Sequence, residues 1–200
     1  MNTKIISTGL ILSSLILMAP KADAYYIGAS VGSSKTKVSM EDKINMQSKT
    51  AFTVSTGMEI PLPLIPIRAE VEYLQLKSDK YGEDLKTYGV GANAYVGLPL
   101  LPIIKPYVGM GLGYLKQELK GPADFDDDGI YESAFKAKSD WTVVPQYMIG
   151  LDVSLPIIPV AGGVEYRYID SKFKGFNDSE EDFNAKSKIH TFLMKARIKF

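Results

Sequence analysis

The 200-residue sequence predicts an all-β fold, an eight-stranded antiparallel up-and-down transmembrane β-barrel. Three observations predict it. Eight segments alternate apolar and polar residues with the period of two that a strand requires. Three proline-rich clusters echo one another along the chain, each where one strand ends and the next begins. Long polar stretches separate those hairpins, so short and long connections alternate strictly, as in an even-numbered barrel with turns at one end and loops at the other.

Residues 1–24 stand outside that pattern. Lys4 supplies a positive start, Ile5 to Ala19 is apolar, and Ala22-Asp23-Ala24 is a small-residue cleavage site. The apolar run stops at Pro20-Lys21 after about 15 residues, short of the ~20 that a spanning helix needs. The sequence therefore predicts a cleaved signal peptide over 1–24 and one barrel domain over 25–200. Removing Lys4, Lys21 and Asp23 takes the 23 basic and 23 acidic residues to 21 and 22, a net charge of −1. After residue 24 no apolar stretch is long enough for a helix to span, so a membrane form spans as strands.

The strands fall near 25–38, 50–60, 67–77, 85–98, 106–119, 140–154, 160–172 and 188–200. In the second, Phe52, Val54, Thr56, Met58 and Ile60 share a face. In the fourth it is Tyr88, Val90, Ala92, Ala94, Val96 and Leu98, and in the fifth Val108, Met110, Leu112 and Tyr114. The sixth aligns Trp141, Val143, Tyr147, Ile149, Leu151 and Val153; the eighth aligns Phe192, Met194, Ala196, Ile198 and Phe200. The opposite faces carry small or polar residues, such as Gly109, Gly111 and Gly113. Pro145 lies inside the sixth strand and cannot donate a ladder bond, which predicts a bulge there or pairing that becomes complete only after it.

The connections follow. Ile60 to Pro66, Leu98 to Ile104 and Leu155 to Pro159 are the proline-rich turns, and their apolar residues suit a collar at one rim. Ser39 to Lys49, Ser78 to Asp84, Lys120 to Ser139 and Lys174 to Ser187 are the polar loops.

Which face points inward decides the class. A soluble lipocalin-like carrier would bury the apolar face around a ligand; a membrane barrel turns it to lipid. The polar face holds Glu59, Glu70, Glu72, Asp152 and Glu165 against Arg68, Arg167, Lys195 and Arg197, a near-balanced set that suits a charge-paired interior. Tyrosines and Trp141 near strand ends suit interfacial girdles, and the chain ends on Phe200 in an alternating run. These features favour the membrane barrel. Charge balance argues against nucleic-acid binding, and the lack of cysteine excludes disulfides, thiolate metal sites and a cysteine nucleophile.

The eight-strand pattern, the glycine-rich run Pro106 to Tyr114 and the ending Arg197-Ile198-Lys199-Phe200 resemble small bacterial outer-membrane β-barrels, the OmpA/OmpX-like, opacity-type surface antigens. The resemblance covers residues 25–200. It implies a cell outer-membrane location, contact with outer-membrane lipid, and a C-terminal signal (Ile198, Phe200) read by the barrel-assembly machinery. A glycine common a few positions before that end is absent; Lys195 and Ala196 stand there. Members of the group serve as adhesins, structural anchors, small channels and, rarely, lipid enzymes, so function rests on the residues.

Asp124-Phe125-Asp126-Asp127-Asp128-Gly129 matches the first half of a calcium loop, with Asp124, Asp126, Asp128 and Glu132 as candidate ligands. Phe135 occupies the twelfth position, where an EF-hand needs glutamate, so the alternatives are weak Ca²⁺ binding and a solvated acidic loop. His190 and Thr191 are adjacent and point to opposite faces, which argues against a barrel-embedded hydrolase. The acidic run Asp178 to Asp182, with Phe176 and Phe183 beside it, is a candidate contact for a host or environmental surface ligand. The expectation is a monomeric, non-enzymatic, structural or adhesin-like surface protein with a charge-plugged lumen and functional loops. The alternatives are a narrow porin-like channel for small solutes and a soluble periplasmic carrier.

Overall fold

The computed structural model describes residues 25–39, 43–45, 47–60, 65–80, 83–98, 103–120, 136–154, 158–176 and 182–200. Eight long strands are present: β1 (Tyr25–Ser39), β3 (Gln47–Ile60), β4 (Ile67–Lys80), β5 (Glu83–Gly97), β6 (Ile104–Lys120), β8 (Thr142–Ser154), β9 (Val160–Phe176) and β10 (Asp182–Lys199). Two short strands accompany them, β2 (Lys43–Asn45) and β7 (Lys136–Ser139). Each long strand pairs antiparallel with its sequence neighbour among the long strands. β1 closes on β10, from Tyr26 opposite Lys199 to Ser39 opposite Lys186. Closure pairs every long strand on both sides over most of its length, so that most backbone groups are satisfied within the barrel.

The outer surface is the apolar face read from the sequence. Val108, Met110, Leu112, Val143, Ile149, Phe192, Met194 and Ile198 are all exposed, Met110 by 63%. Ile27, Val31, Val71, Val90 and Val164 continue the same surface around the barrel. So much exposed hydrocarbon cannot be stable in water and is the ordinary outer face of a strand in lipid.

Strands run further into the polar connections than the alternation predicts. β9 extends to Phe176 and β10 starts at Asp182, with Ser187 opposite Ser171 and Lys186 opposite Lys172. A ladder needs only backbone groups, so it continues where the apolar period has already stopped. In the first polar connection, β2 folds back on β1, pairing Asn45 with Lys37.

The sixth predicted strand is two pieces. β7 and β8 are separated by Asp140 and Trp141, and one extra residue lies there relative to both neighbours. Ser139 pairs with Gly175 and Gln146 with Ile169, seven residues against six. Trp141 consequently points outward with Val143 and stacks on Tyr114 at 5.1 Å between ring centres. On the β6 side β8 pairs continuously from Thr142 to Val153, with Pro145 opposite Leu112. On the β9 side pairing begins only at Gln146, the residue after Pro145.

Pro66, Pro106 and Pro159, which border the proline-rich segments, lie at the same rim as both ends of the described chain. Pro66, Pro106 and Pro159 lack an N–H but keep carbonyls, which accept from Gly97 N (2.9 Å), Leu98 N (2.8 Å) and Lys199 N (2.7 Å).

Candidate functional site in the barrel lumen

The inward positions of β10 read, from the loop end to the turn end, Ser187, Ile189, Thr191, Leu193, Lys195, Arg197 and Lys199. That series gives the layers of the lumen. Near the loop end lie hydroxyl and amide groups: Gln117 donates to Thr87 Oγ1 (3.0 Å) and Ser187 Oγ (3.2 Å), and Thr36 bonds Ser78 (3.0 Å). Below them Ala51, Leu74, Leu76, Leu115, Val144, Ile169, Ile189 and Leu193 form a buried apolar layer. The polar-face pattern did not foretell this layer. Its signal is a phase inversion: Leu74 lies between Tyr73 and Gln75, and Ile169 between Tyr168 and Asp170, so the apolar residue takes the inner position near the loop end.

The charge network lies beneath. Arg167, 1% exposed, forks onto Glu72, with one N–H at 3.0 Å and a second, shorter contact. It also reaches Glu165 Oε1 at 2.7 Å. Lys195 Nζ bridges Glu165 (2.9 Å) and Glu70 (3.5 Å). Asn93 donates to Glu72 at 2.8 Å and Gln146 to Asn93 at 3.3 Å. In the lowest layer Arg68 Nη1 (2.6 Å) and Arg197 Nη2 (2.8 Å) share Asp152 Oδ2, and Lys199 pairs with Glu59 at 2.7 Å. All nine expected lumen residues are therefore brought together. Lys199 is a tenth, which balances five acids with five bases. Polar partners at this density are what buried charges require.

Three tyrosines near strand ends, where a girdle residue also sits, complete the network from inside the barrel. Tyr26 OH (2.8 Å) and Tyr95 OH (3.0 Å) donate to Glu70, and Tyr107 OH (2.9 Å) donates to Glu165. All three are inward and buried, because each is out of phase with its strand's apolar face. Arg68 lies over the Tyr95 ring at 4.0 Å. Each tyrosine crosses a glycine on the next strand: Tyr26 opposite Gly57, Tyr95 opposite Gly109, Tyr107 opposite Gly150. A Cβ at Gly150 would sit 2.4 Å from Tyr107 Oη and 2.4 Å from the Val164 carbonyl. Gly150→Ala is expected to cost about 1–3 kcal/mol in urea unfolding from vesicles, since neither neighbour can withdraw without losing a bond.

At the turn-end mouth a cavity of about 50 Å³ lies against Arg68, Tyr107, Asp152 and Arg197. Among the described residues Arg68 Nε and Nη2, Asp152 Oδ1 and Arg197 Nη1 have no partner. A polar space of this size is large enough for water to meet them.

An aromatic belt on the loop-end half of the outer face includes Tyr88, Tyr114 and Trp141, with Trp141 stacked on Tyr114 and edge-on to Tyr88 at 5.8 Å, and Tyr166 beside Phe192 at 5.0 Å. His190 joins it, pointing outward with Nδ1 2.7 Å from Tyr166 Oη, while Thr191 is buried inside. Among the described residues no cluster of His, Asp or Glu is placed to hold a metal ion. Asp124, Asp126, Asp128 and Glu132 lie outside the described residues, as do residues 177–181. Ile198 and Phe200 face outward, 59% and 63% exposed, at the turn-end rim.

A closed antiparallel barrel, apolar outside and charge-paired within, is a transmembrane β-barrel. The chain belongs to the outer membrane protein beta-barrel domain family, whose sequence pattern matches residues 8–196. That membership places the barrel in the outer membrane. A comparison with curated proteins gives no match. Among solved structures, the chain is similar to Neisserial surface protein A (NspA), with 21% identity and a TM-score of 0.61 over 88% of this chain and 97% of that one. It is similar to outer membrane protein AlkL, solved in lipid bilayers, with 13% identity and a TM-score of 0.55 over 91% and 92%. It also matches Ail, the attachment invasion locus protein of Yersinia pestis, with 16% identity and a TM-score of 0.48 over 88% and 99%. These similarities are of fold alone.

Proposed function

We propose that the chain is a non-enzymatic surface protein of the outer membrane, a rigid barrel whose lumen is plugged and whose loops contact the environment in a structural or adhesin-like role. The observation that carries this is the filled lumen. Five acids meet five bases in stacked, ion-paired groups, and an apolar layer lies directly above them. An ion crossing that layer would shed its hydration against leucine and isoleucine side chains, at prohibitive cost. No nucleophile–base pair is assembled among the described residues: His190 bonds Tyr166 outside, and Thr191 faces the interior.

Residues 1–24 direct export and are removed, and the Ile198–Phe200 end is read by the assembly machinery. The Asp124–Glu132 segment is a weak Ca²⁺ site or a solvated acidic loop. The competing reading is a narrow channel. Planar bilayers containing the purified chain are expected to show no unitary conductance steps; steps that scale with salt concentration would replace the plugged barrel with the channel.

A further inference from the structure

The barrel wall has an opening in its ladder, and the groups around it match one kind of ligand. β8 pairs with β9 only from Gln146 opposite Ile169 onward, and β7 pairs with β9 only up to Ser139 opposite Gly175. Between these points Thr142 to Pro145 run beside Asp170 to Phe173 with no ladder. Pro145 has no N–H to offer there. The outer surface at this place is a cavity of about 410 Å³. Its lower wall is apolar and aromatic, with Val143, Pro145, Tyr147 and Tyr168; its upper wall carries Lys172 and Lys186.

The two lysines are directly opposite each other on β9 and β10. Like charges in that position repel. One step below, Lys188 on β10 is directly opposite Lys37 on β1. Among the described residues none of these four lysines has an ion pair. Asp170 is the acid among the residues lining the cavity, and its carboxylate accepts from Tyr168 Oη at 3.3 Å. Lys77 and Lys86 are also directly opposite each other, on β4 and β5, but acids accompany them: Lys86 has Glu118 on its other side, and Lys49 pairs with Asp84 at 3.0 Å. The lysines lie just beyond the aromatic belt of Tyr166, Tyr168, His190 and Phe192, the level of lipid headgroups.

We propose that this cleft binds one anionic lipid of the outer leaflet. Its phosphate lies between Lys172 and Lys186 and its acyl chain along Pro145, Tyr147 and Tyr168. The headgroup's polar atoms supply partners to the stretch of wall where the strands do not pair, which hydrocarbon alone cannot do. The occupant is a lipid rather than a soluble anion because the basic wall continues into an apolar one that faces the bilayer. The inference rests on the outer-membrane orientation, with loops outward, but not on whether the lumen conducts.

The test is equilibrium binding to the full chain in phosphatidylcholine vesicles carrying either lipid A with both phosphates or its dephosphorylated form. Saturable, salt-sensitive binding is expected for the phosphorylated lipid alone. Lys172→Gln with Lys186→Gln is expected to weaken it about tenfold or more, since each lysine near a headgroup contributes on the order of 1 kcal/mol. Lys49→Gln with Lys86→Gln, where Asp84 and Glu118 accompany the lysines, is expected to change it less than about twofold on the same scale. Pro145→Val, which restores a ladder donor without touching charge, is expected to weaken binding by narrowing the cleft. Heat-modifiable gel migration verifies folding of every variant. Equal binding of the dephosphorylated lipid, equal losses for the two lysine pairs, or capture of soluble polyphosphate in preference to lipid A would each overturn the proposal. None of these outcomes bears on conductance, so the plugged-barrel reading is tested separately.

Discussion

Arg167→Met is expected to destabilise the barrel by about 3–5 kcal/mol, measured by reversible urea unfolding in lipid vesicles. Arg167 is the hub of the central layer: it contacts Glu72 and Glu165 and reaches Gln146 Oε1 at 3.4 Å. Methionine fills much of the same volume, so packing is largely retained. What is lost is the cation that two buried carboxylates face. Lys195 still serves Glu165, but Glu72 keeps only the Asn93 amide. The large cost therefore comes from the stranded carboxylates, not from the worth of the pair. Combining Arg167→Met with Glu72→Gln and Glu165→Gln removes the stranded charge and is expected to recover a large part of the loss. A single-variant loss below about 1 kcal/mol would mean that water reaches these groups, and the lumen would then be hydrated rather than plugged.

The second large effect is on the outside. Met110→Arg is expected to cost about 2–4 kcal/mol in a bilayer, the range for an arginine near the midplane of a barrel's lipid face. Met110 lies between the loop-end girdle residue Tyr114 and the turn-end residue Ile104 on the same strand. It is flanked by the outward-facing Ala94 and Tyr147 on the adjacent strands. Lys116→Arg on the same face, beyond the girdle, is expected to change stability by less than about 0.5 kcal/mol. In a soluble barrel Met110 would be core or water-exposed surface, and this contrast between positions six residues apart would not follow bilayer depth.

The barrel was legible because closure and alternation are recorded residue by residue. Val108-Gly109-Met110-Gly111-Leu112 states its two faces outright, and the proline clusters mark the turn-end rim. The lumen charges were legible for the same reason: Glu70 and Glu72, or Lys195 and Arg197, sit two apart in the polar phase. What escaped were inward residues that are not charged. Tyr26, Tyr95 and Tyr107 sit near strand ends, where a girdle residue also sits, and only phase separates the two roles. Leu74, Ile169 and Ile189 invert the phase just where the outer face turns polar, which weakens the alternation instead of revealing a second core. Pro145 marks pairing that becomes complete only after it, whereas the extra residue at Asp140–Trp141 has no such signal. Pro145 was the visible irregularity, and its consequence appears as lost pairing on one side only, a property of two neighbours that one strand's sequence does not contain.

The central claim is that lipid covers one set of aliphatic side chains while protein covers the other. Methyl-selective nuclear Overhauser measurements on the full chain in bilayers test it without any substitution. Val31, Val71, Val108, Leu112, Ile149 and Ile198 are expected to show cross-peaks to lipid acyl methylenes. Leu74, Leu115, Val144, Ile169, Ile189 and Leu193 are expected to show cross-peaks only to one another and to protein neighbours. Acyl contacts at the second set and water contacts at the first would contradict the account.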